Sequence, residues 1–503
     1  MSENLDRESP DREPSDLDDG LFRPEQLDRS VISVPLLQQL ASRADDDPVS
    51  VVFDLNLEYP RGDRASGLDA AGERVVTLLE QLHTERPDLP FRVSRRPPGS
   101  QYLLAWLSPG IVRRVVMADL VTPVDGRRAI FHVWPDFEVR ALLDASVATV
   151  KADAARASFA ATGRGIVWAV LDSGIQVDHP HFRLHGNCTD LPSGLEHRSF
   201  VEGEPADRDS FGHGTHVAGI IAGEARAAEG FLAASRSERD PEDRPVPRPA
   251  GASIITGVAP ECTLLSYRVL DGRGVGSSGA ILDALHAVHE VNNHGRLIRI
   301  HGVNISAGYP FKPEWFACGQ SPLCAEVDRL VRSGVIVVVA AGNTGYAYAP
   351  DALTSSPVAA GRALTINDPG NADLAITVGS THRDSPHIYG VSYFSSKGPT
   401  GDGRAKPDLV APGERILSAG AGFMRDRASG AGDPLDYIEH SGTSMAAPHV
   451  SGAIAAFLSV RREFIGRPER IKQIFTSTAT DLGRVRDFQG HGLVDLMRAI
   501  QYV

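Results

Sequence analysis

Val167-Trp168-Ala169-Val170-Leu171-Asp172-Ser173-Gly174 is the stretch on which the fold turns. Its first five residues are apolar without alternation, as in a strand buried on both faces, and burial on both faces is the mark of a parallel sheet lying between helices. The run then stops at an acid and a glycine. A carboxylate is thereby delivered to the carboxyl edge of the sheet, where open α/β sheets place their sites. Gly165 to Leu171, Leu264 to Leu270, Ile300 to Ile305, Val335 to Ala340 and Leu374 to Val378 share this texture, with glycines and helical segments between them. The expectation is an α/β unit over 151–503, its mostly parallel sheet flanked by helices.

Upstream the pattern changes. Residues 1–44 are predicted to be an acidic, largely disordered tail; the first thirty residues alone carry ten acidic and four basic side chains. Between 45 and 140, Val51, Phe53, Leu55 and Leu57 alternate as in a half-buried strand, and helical spacing follows through Val75, Leu79 and Leu82. A strand at Tyr102 to Leu107, a helix started by Ser108 and Pro109, and a strand from Arg128 to Trp134 complete a small α+β domain. Residues 141–150 read as a linker and a candidate processing region. Within the large unit, 224–250 holds eleven charged residues and four prolines and is expected to be an exposed insertion loop.

Composition narrows the function classes. Apolar residues at 42% and charged residues at 23% are ordinary for a globular protein. With 51 basic and 64 acidic side chains the formal charge is −13, the wrong sign for a general attraction to nucleic acid or to anionic membrane. The absence of an apolar signal-like stretch points to a cytoplasmic protein, with secretion by another route left open. Four cysteines do not make a disulfide framework; Cys262 is expected to be a buried thiol, while Cys318 and Cys324 could close a loop in an oxidising compartment.

Three more segments carry reactive groups. Phe211-Gly212-His213-Gly214-Thr215-His216 sets a histidine between glycines at a helix start; no Glu accompanies His213 and His216 as a zinc-protease pattern requires, so no metal is expected there. Val335 to Asn343 is a strand ending in an amide, a group able to stabilise charge on a carbonyl oxygen. Ser441-Gly442-Thr443-Ser444-Met445-Ala446 puts a serine at a helix N-terminus, where free N–H groups favour an oxyanion. Each alone has a bland explanation as a cap or turn residue; together, Asp, His, Asn and Ser at strand ends and helix starts indicate nucleophilic catalysis. Gly274-Val275-Gly276-Ser277-Ser278-Gly279 fits GxGxxG, but its distance from the preceding strand and the lack of an acid ending the next one disfavour a dinucleotide site.

From Lys151 to Val503 the chain resembles the subtilisin-like serine proteases, most closely around Asp172, His213 and Ser444. The resemblance implies that Asp172 orients, His213 is the base, Ser444 attacks and Asn343 stabilises the oxyanion. It also implies that Gly274, Val275 and Gly276 pair with substrate backbone, that Ser306, Ala307 and Gly308 form one wall of the pocket for the residue before the cut, and that no cofactor takes part in the chemistry. Many secreted members carry a calcium-binding Asp nine residues after the first catalytic acid; here that position is His181, so calcium is not supported at the usual place. The small domain stands where the family has an inhibitory, folding-assisting propeptide, which would make it an intramolecular partner beside protein or peptide substrates. The rival readings are a peptide-binding regulatory protein on the same scaffold and an α/β-hydrolase esterase; intact Asp172, His213, Asn343 and Ser444 disfavour the first, and GTSMA in place of GxSxG disfavours the second.

Overall fold

The computed structural model describes residues 31–59, 64–94, 96, 98–135, 145–226, 233–239, 245–251, 254–311, 317–350, 357–429 and 434–503. The chain divides into two compact units, Met1–Arg140 and Ala141–Val503.

In the small unit, alternation makes the sheet. Val49–Leu55 buries every second residue, and it lies between Tyr102–Leu107 and Ile130–Pro135, both antiparallel to it, with Phe91–Val93 at the far edge. Helices Arg64–Glu85 and Pro109–Val121 cover one face, joining Val75, Leu79, Ile111 and Val115 to Val51, Phe53 and Leu55 in one core. The expected tail is shorter than drawn. A helix at Val34–Ala41 puts Leu36 and Leu40 into this core, and Val31 and Ile32 are buried with them, because apolar spacing here suffices to anchor a turn of helix. Residues 1–30 lie outside the described residues.

The large unit is built on seven parallel strands in the order Leu409–Glu414, Ile376–His382, Ile336–Ala340, Gly302–Ile305, Val167–Asp172, Thr263–Arg268 and Arg198–Ser199. Continuous apolar runs follow from two-sided cover: Trp168 and Val170 face a core with helix Thr443–Val460, whereas Val167, Ala169 and Leu171 face one with helices Ser278–Val291 and Pro322–Arg332. From Val167–Asp172 the chain fills one side of the sheet and then the other, so the winding reverses at the strand that ends in Asp172. Helix Ala145–Thr149 and Val150, read as linker, are packed instead in the first of these cores through Val147 and Val150.

The insertion departs most from expectation. Ala233–Arg239 and Pro245–Gly251 form an antiparallel hairpin, and Ala233–Arg239 joins Tyr437–His440 in parallel, extending a second four-stranded sheet. Prolines 245, 247 and 249 disguise the strand in the sequence. Pro245–Gly251 is a terminal strand, and three prolines at alternate positions fit one because their nitrogens can all face the unpaired edge.

Candidate active site

Helix starts and strand ends bring His213, Asn343 and Ser444 to one cleft of about 610 Å³, with Asp172 buried behind the imidazole. Asp172 closes its strand at 1% exposure, and His213 opens the helix His213–Ile221. His213 Nδ1–H donates to Asp172 Oδ1 at 2.8 Å and Oδ2 at 3.0 Å, and the backbone N–H of Ser173 also donates to Oδ1 at 2.8 Å. The approach depends on glycine: a Cβ on Gly214 would stand 2.2 Å from the Gly174 carbonyl, and one on Gly212, whose φ is +103°, 2.0 Å from that of Ala421.

Burial works against charge on the His213 imidazole, but the charge and hydrogen bond of Asp172, with Asp209 behind it, outweigh burial and hold its pKa above the ordinary histidine value. Two further imidazoles lie near. The His440 ring stands edge-on to that of His213 at 6.4 Å, and His216 lies 6.0 Å from His440. Burial and the neighbouring His213 push His440 down to about 4, and burial pushes His216 well below its usual value, so His213 alone of the three is basic. His216 Nε2 is turned to the Ile438 carbonyl at 3.1 Å, away from any shared metal position.

Ser444 is the second residue of helix Thr443–Val460. That helix contains Pro448, which has no N–H to give the carbonyl four residues earlier, and the orphan is that of Ser444. Ser306 Oγ donates to it at 3.0 Å, and Asn304 and Ser451 continue the network at 2.9 Å each. The Ser444 hydroxyl in turn donates to the Ser306 carbonyl at 3.0 Å. The expected bond between the Ser444 hydroxyl and His213 is therefore not made in this rotamer; among the described residues His213 Nε2 has no hydrogen-bond partner and faces the cleft shared with Ser444. A turn about the serine Cα–Cβ bond moves the hydroxyl between staggered wells without disturbing the backbone.

Asn343 is held by its carbonyl end: Oδ1 accepts from Thr443 N at 2.9 Å and Thr443 Oγ1 at 3.0 Å, which leaves the Nδ2 donors free to point elsewhere. Gly274, Val275, Gly276, Ser306, Ala307 and Gly308 all line the same cleft, and no Asp, Glu, Lys or Arg side chain does so among the described residues. Ser277 caps the helix after the glycine run, accepting from Ala280 N at 3.1 Å.

His181 does not fit a calcium ion. It is fully buried, its Nε2 bonds to the Gly219 carbonyl at 3.0 Å and its Nδ1 lies 3.3 Å from the Tyr437 hydroxyl, and burial pushes its pKa down to about 3. A neutral ring in that position supplies none of the hard oxygen ligands calcium requires. Among the described residues no three His, Cys, Asp or Glu side chains gather as a metal site. All four cysteines are free and buried, so Cys318 and Cys324 are not joined.

Several residues here escape a reading of the sequence. Thr443, Pro448 and Ser173 act through contacts made far along the chain. Asp209, just upstream of a helix whose cap position is Gly212, carries the one local signal that could have revealed it.

Comparison with known proteins agrees with the architecture. The model of the subtilase family matches residues 163–492. The chain is 28% identical to serine protease AprX of Bacillus subtilis (strain 168) over 384 residues, 74% of each chain. It is 29% identical to subtilisin E of the same organism over 340 residues, 68% of this chain and 67% of the relative. With the alkaline protease of Alkalihalobacillus alcalophilus the identity is 30% over 370 residues, 73% of each chain. A parallel sheet wound to one cleft, and a family match across about two thirds of its length, make this chain a member of the subtilase family, the subtilisin-like serine endopeptidases.

Proposed function

We propose that Asp172, His213 and Ser444 form the catalytic triad of this endopeptidase and that Asn343 donates to the oxyanion. The observation that carries the reading is the Asp172–His213 pair: the carboxylate occupies Nδ1, which fixes the tautomer with its basic Nε2 open to the cleft that holds Ser444. When a peptide binds, the Ser444 hydroxyl leaves the Ser306 carbonyl and gives its proton to Nε2 as Oγ adds to the scissile carbonyl. The Asp172 carboxylate steadies the imidazolium. Asn343 Nδ2 and the Ser444 backbone N–H receive the tetrahedral oxyanion, the leaving amine takes the proton back from His213, and water resolves the acyl-enzyme by the same route. None of these steps calls for a cofactor.

Gly274–Gly276 would take the substrate backbone as an added strand, with Ser306, Ala307 and Gly308 walling the pocket for the residue before the cut. A cleft without charged walls favours neutral, apolar side chains there over acidic or basic ones. The small unit is assigned the role of an intramolecular inhibitor and folding aid; its position before the family match and its compact α+β core support this.

A fluorophosphonate probe should modify Ser444 in the wild-type protein and leave Ser444→Ala unlabelled. Labelling that survives the substitution would remove the assignment of the nucleophile. Mass spectrometry of the mature N-terminus tests the small unit: self-processing predicts a shortened chain in wild type and full length in Ser444→Ala, and full length in both rules it out.

A further inference from the structure

Behind the Asp172–His213 pair lies a second carboxylate with no place in the reaction as written. Asp209 is 2% exposed, yet each of its oxygens is fully engaged. Oδ1 accepts from Ser173 Oγ at 2.9 Å and Gly212 N at 2.7 Å; Oδ2 accepts from Thr215 N at 2.8 Å and Thr215 Oγ1 at 2.7 Å. The helix that begins at His213 has Gly212 at its cap position and hence no capping side chain of its own. Asp209 supplies the missing acceptor.

Ser173 connects this cap to the reacting groups. Its hydroxyl accepts from Gly214 N at 2.9 Å and gives its own proton to Asp209, while its backbone N–H donates to Asp172 Oδ1. All four contacts direct protons at Asp209, which favours its carboxylate form; burial works the other way and, with Asp172 nearby, holds its pKa above the ordinary aspartate value. The loop that carries Asp209 is itself clamped. Arg268, fully buried and in register with Asp172 on the adjacent strand, donates to the carbonyls of Pro205 and Arg208 at 3.0 Å each and pairs with Glu204 at 2.7 Å.

We propose that Asp209 is a positioning residue for peptide hydrolysis: it locks the start of the His213 helix and, through Ser173, the Asp172 carboxylate, so that imidazole and carboxylate meet in one geometry before substrate arrives. The inference rests on the triad reading above. Electrostatics point the same way. The groups around His213 are Asp172 from its strand, Asp209 from the preceding loop, His216 from its own helix and His440 from the strand before Ser444; the two histidines are kept neutral by burial, and Arg268 is paired with Glu204. Two carboxylates thus support protonation of His213, and the second is Asp209.

The test is steady-state kinetics of full-length Asp209→Asn and Ser173→Ala across pH, normalised by active-site titration. Asp209→Asn sets an amide N–H₂ against two donors in place of one carboxylate oxygen, and its kcat should fall about 10–100-fold with KM little changed. The acid limb of kcat/KM should move to lower pH as His213 loses its second anion. Ser173→Ala, which leaves the bonds from Asp209 to Gly212 and Thr215 intact, should lower kcat several-fold. If both variants melt earlier but their titrated sites keep the wild-type kcat and acid limb, Asp209 is a structural cap only and the proposal is overturned. Should Asp209→Asn not fold, Ser173→Ala decides alone: wild-type kcat in it is equally fatal. Retained turnover in Ser444→Ala would instead overturn the triad reading itself, a result these two variants cannot mimic.

Discussion

Two buried ion pairs in the large unit have similar lengths and opposite uses. Lys406 Nζ donates to the carbonyl of Ala375 at 2.8 Å, to Thr377 Oγ1 at 2.9 Å and to Asp408 Oδ2 at 2.6 Å, so all three of its protons are placed. Asp408 also accepts from Thr377 N and pairs with Lys472 at 3.0 Å. That cluster is closed. Asp172 and His213 at 2.8 Å are nearly as buried, but the ring keeps Nε2 open to a cleft and 14% of its side chain exposed. A closed pair holds structure; a pair with one valence left open can move a proton.

The contrast is sharpest in what deletion does. His213→Ala should lower turnover about 10⁶-fold per folded molecule, measured by peptide hydrolysis. Substantial residual turnover would erase the distinction. Asp408→Ala should do the reverse, destabilising by about 3–5 kcal/mol because Lys406 is left buried and unpaired, with kcat per folded molecule unchanged. Denaturant titration checks it. Burial resists the charge on Asp408, yet the two lysines outweigh it and hold its pKa below the ordinary value; its contribution is present above about pH 4 and is lost as pH falls through the folded pKa.

Smaller effects refine the open pair. Asn343→Ala should lower kcat about 10²–10³-fold, with KM nearly constant because the oxyanion exists only in the transition state. The least change is in pH dependence. If His213 is the base proposed above it must be neutral to act, and its raised pKa then means that kcat/KM falls toward acid with a midpoint above the ordinary 6.5. An acid limb well below that value would show that Asp172 does not govern the imidazole.

How much of this was legible in the letters depends on how local the cause is. Val167 to Asp172 shows its strand, its burial and its acidic end within six residues, and His213 and Ser444 show their helix starts as plainly. The Tyr102–Leu107 strand and the Ser108 helix start stood out for the same reason. Contacts across the chain were silent. Nothing near Ser306 announces that Pro448 frees a carbonyl for its hydroxyl, and nothing near residue 233 announces a partner strand at Tyr437. Asp209 fell between these cases: its position suggests a cap, but its link to Asp172 passes through a serine thirty-six residues away.

The prolines at 245, 247 and 249 have a consequence for an enzyme that digests extended chains. A substrate that joins the cleft as a strand must offer N–H donors along one edge. On this hairpin three of the outward positions, those of the prolines, have no hydrogen to offer, and the inward ones are spent on Ala233–Arg239. A strand laid along that rim would meet carbonyls but no donor at the three proline positions, so the sheet is closed there to further pairing.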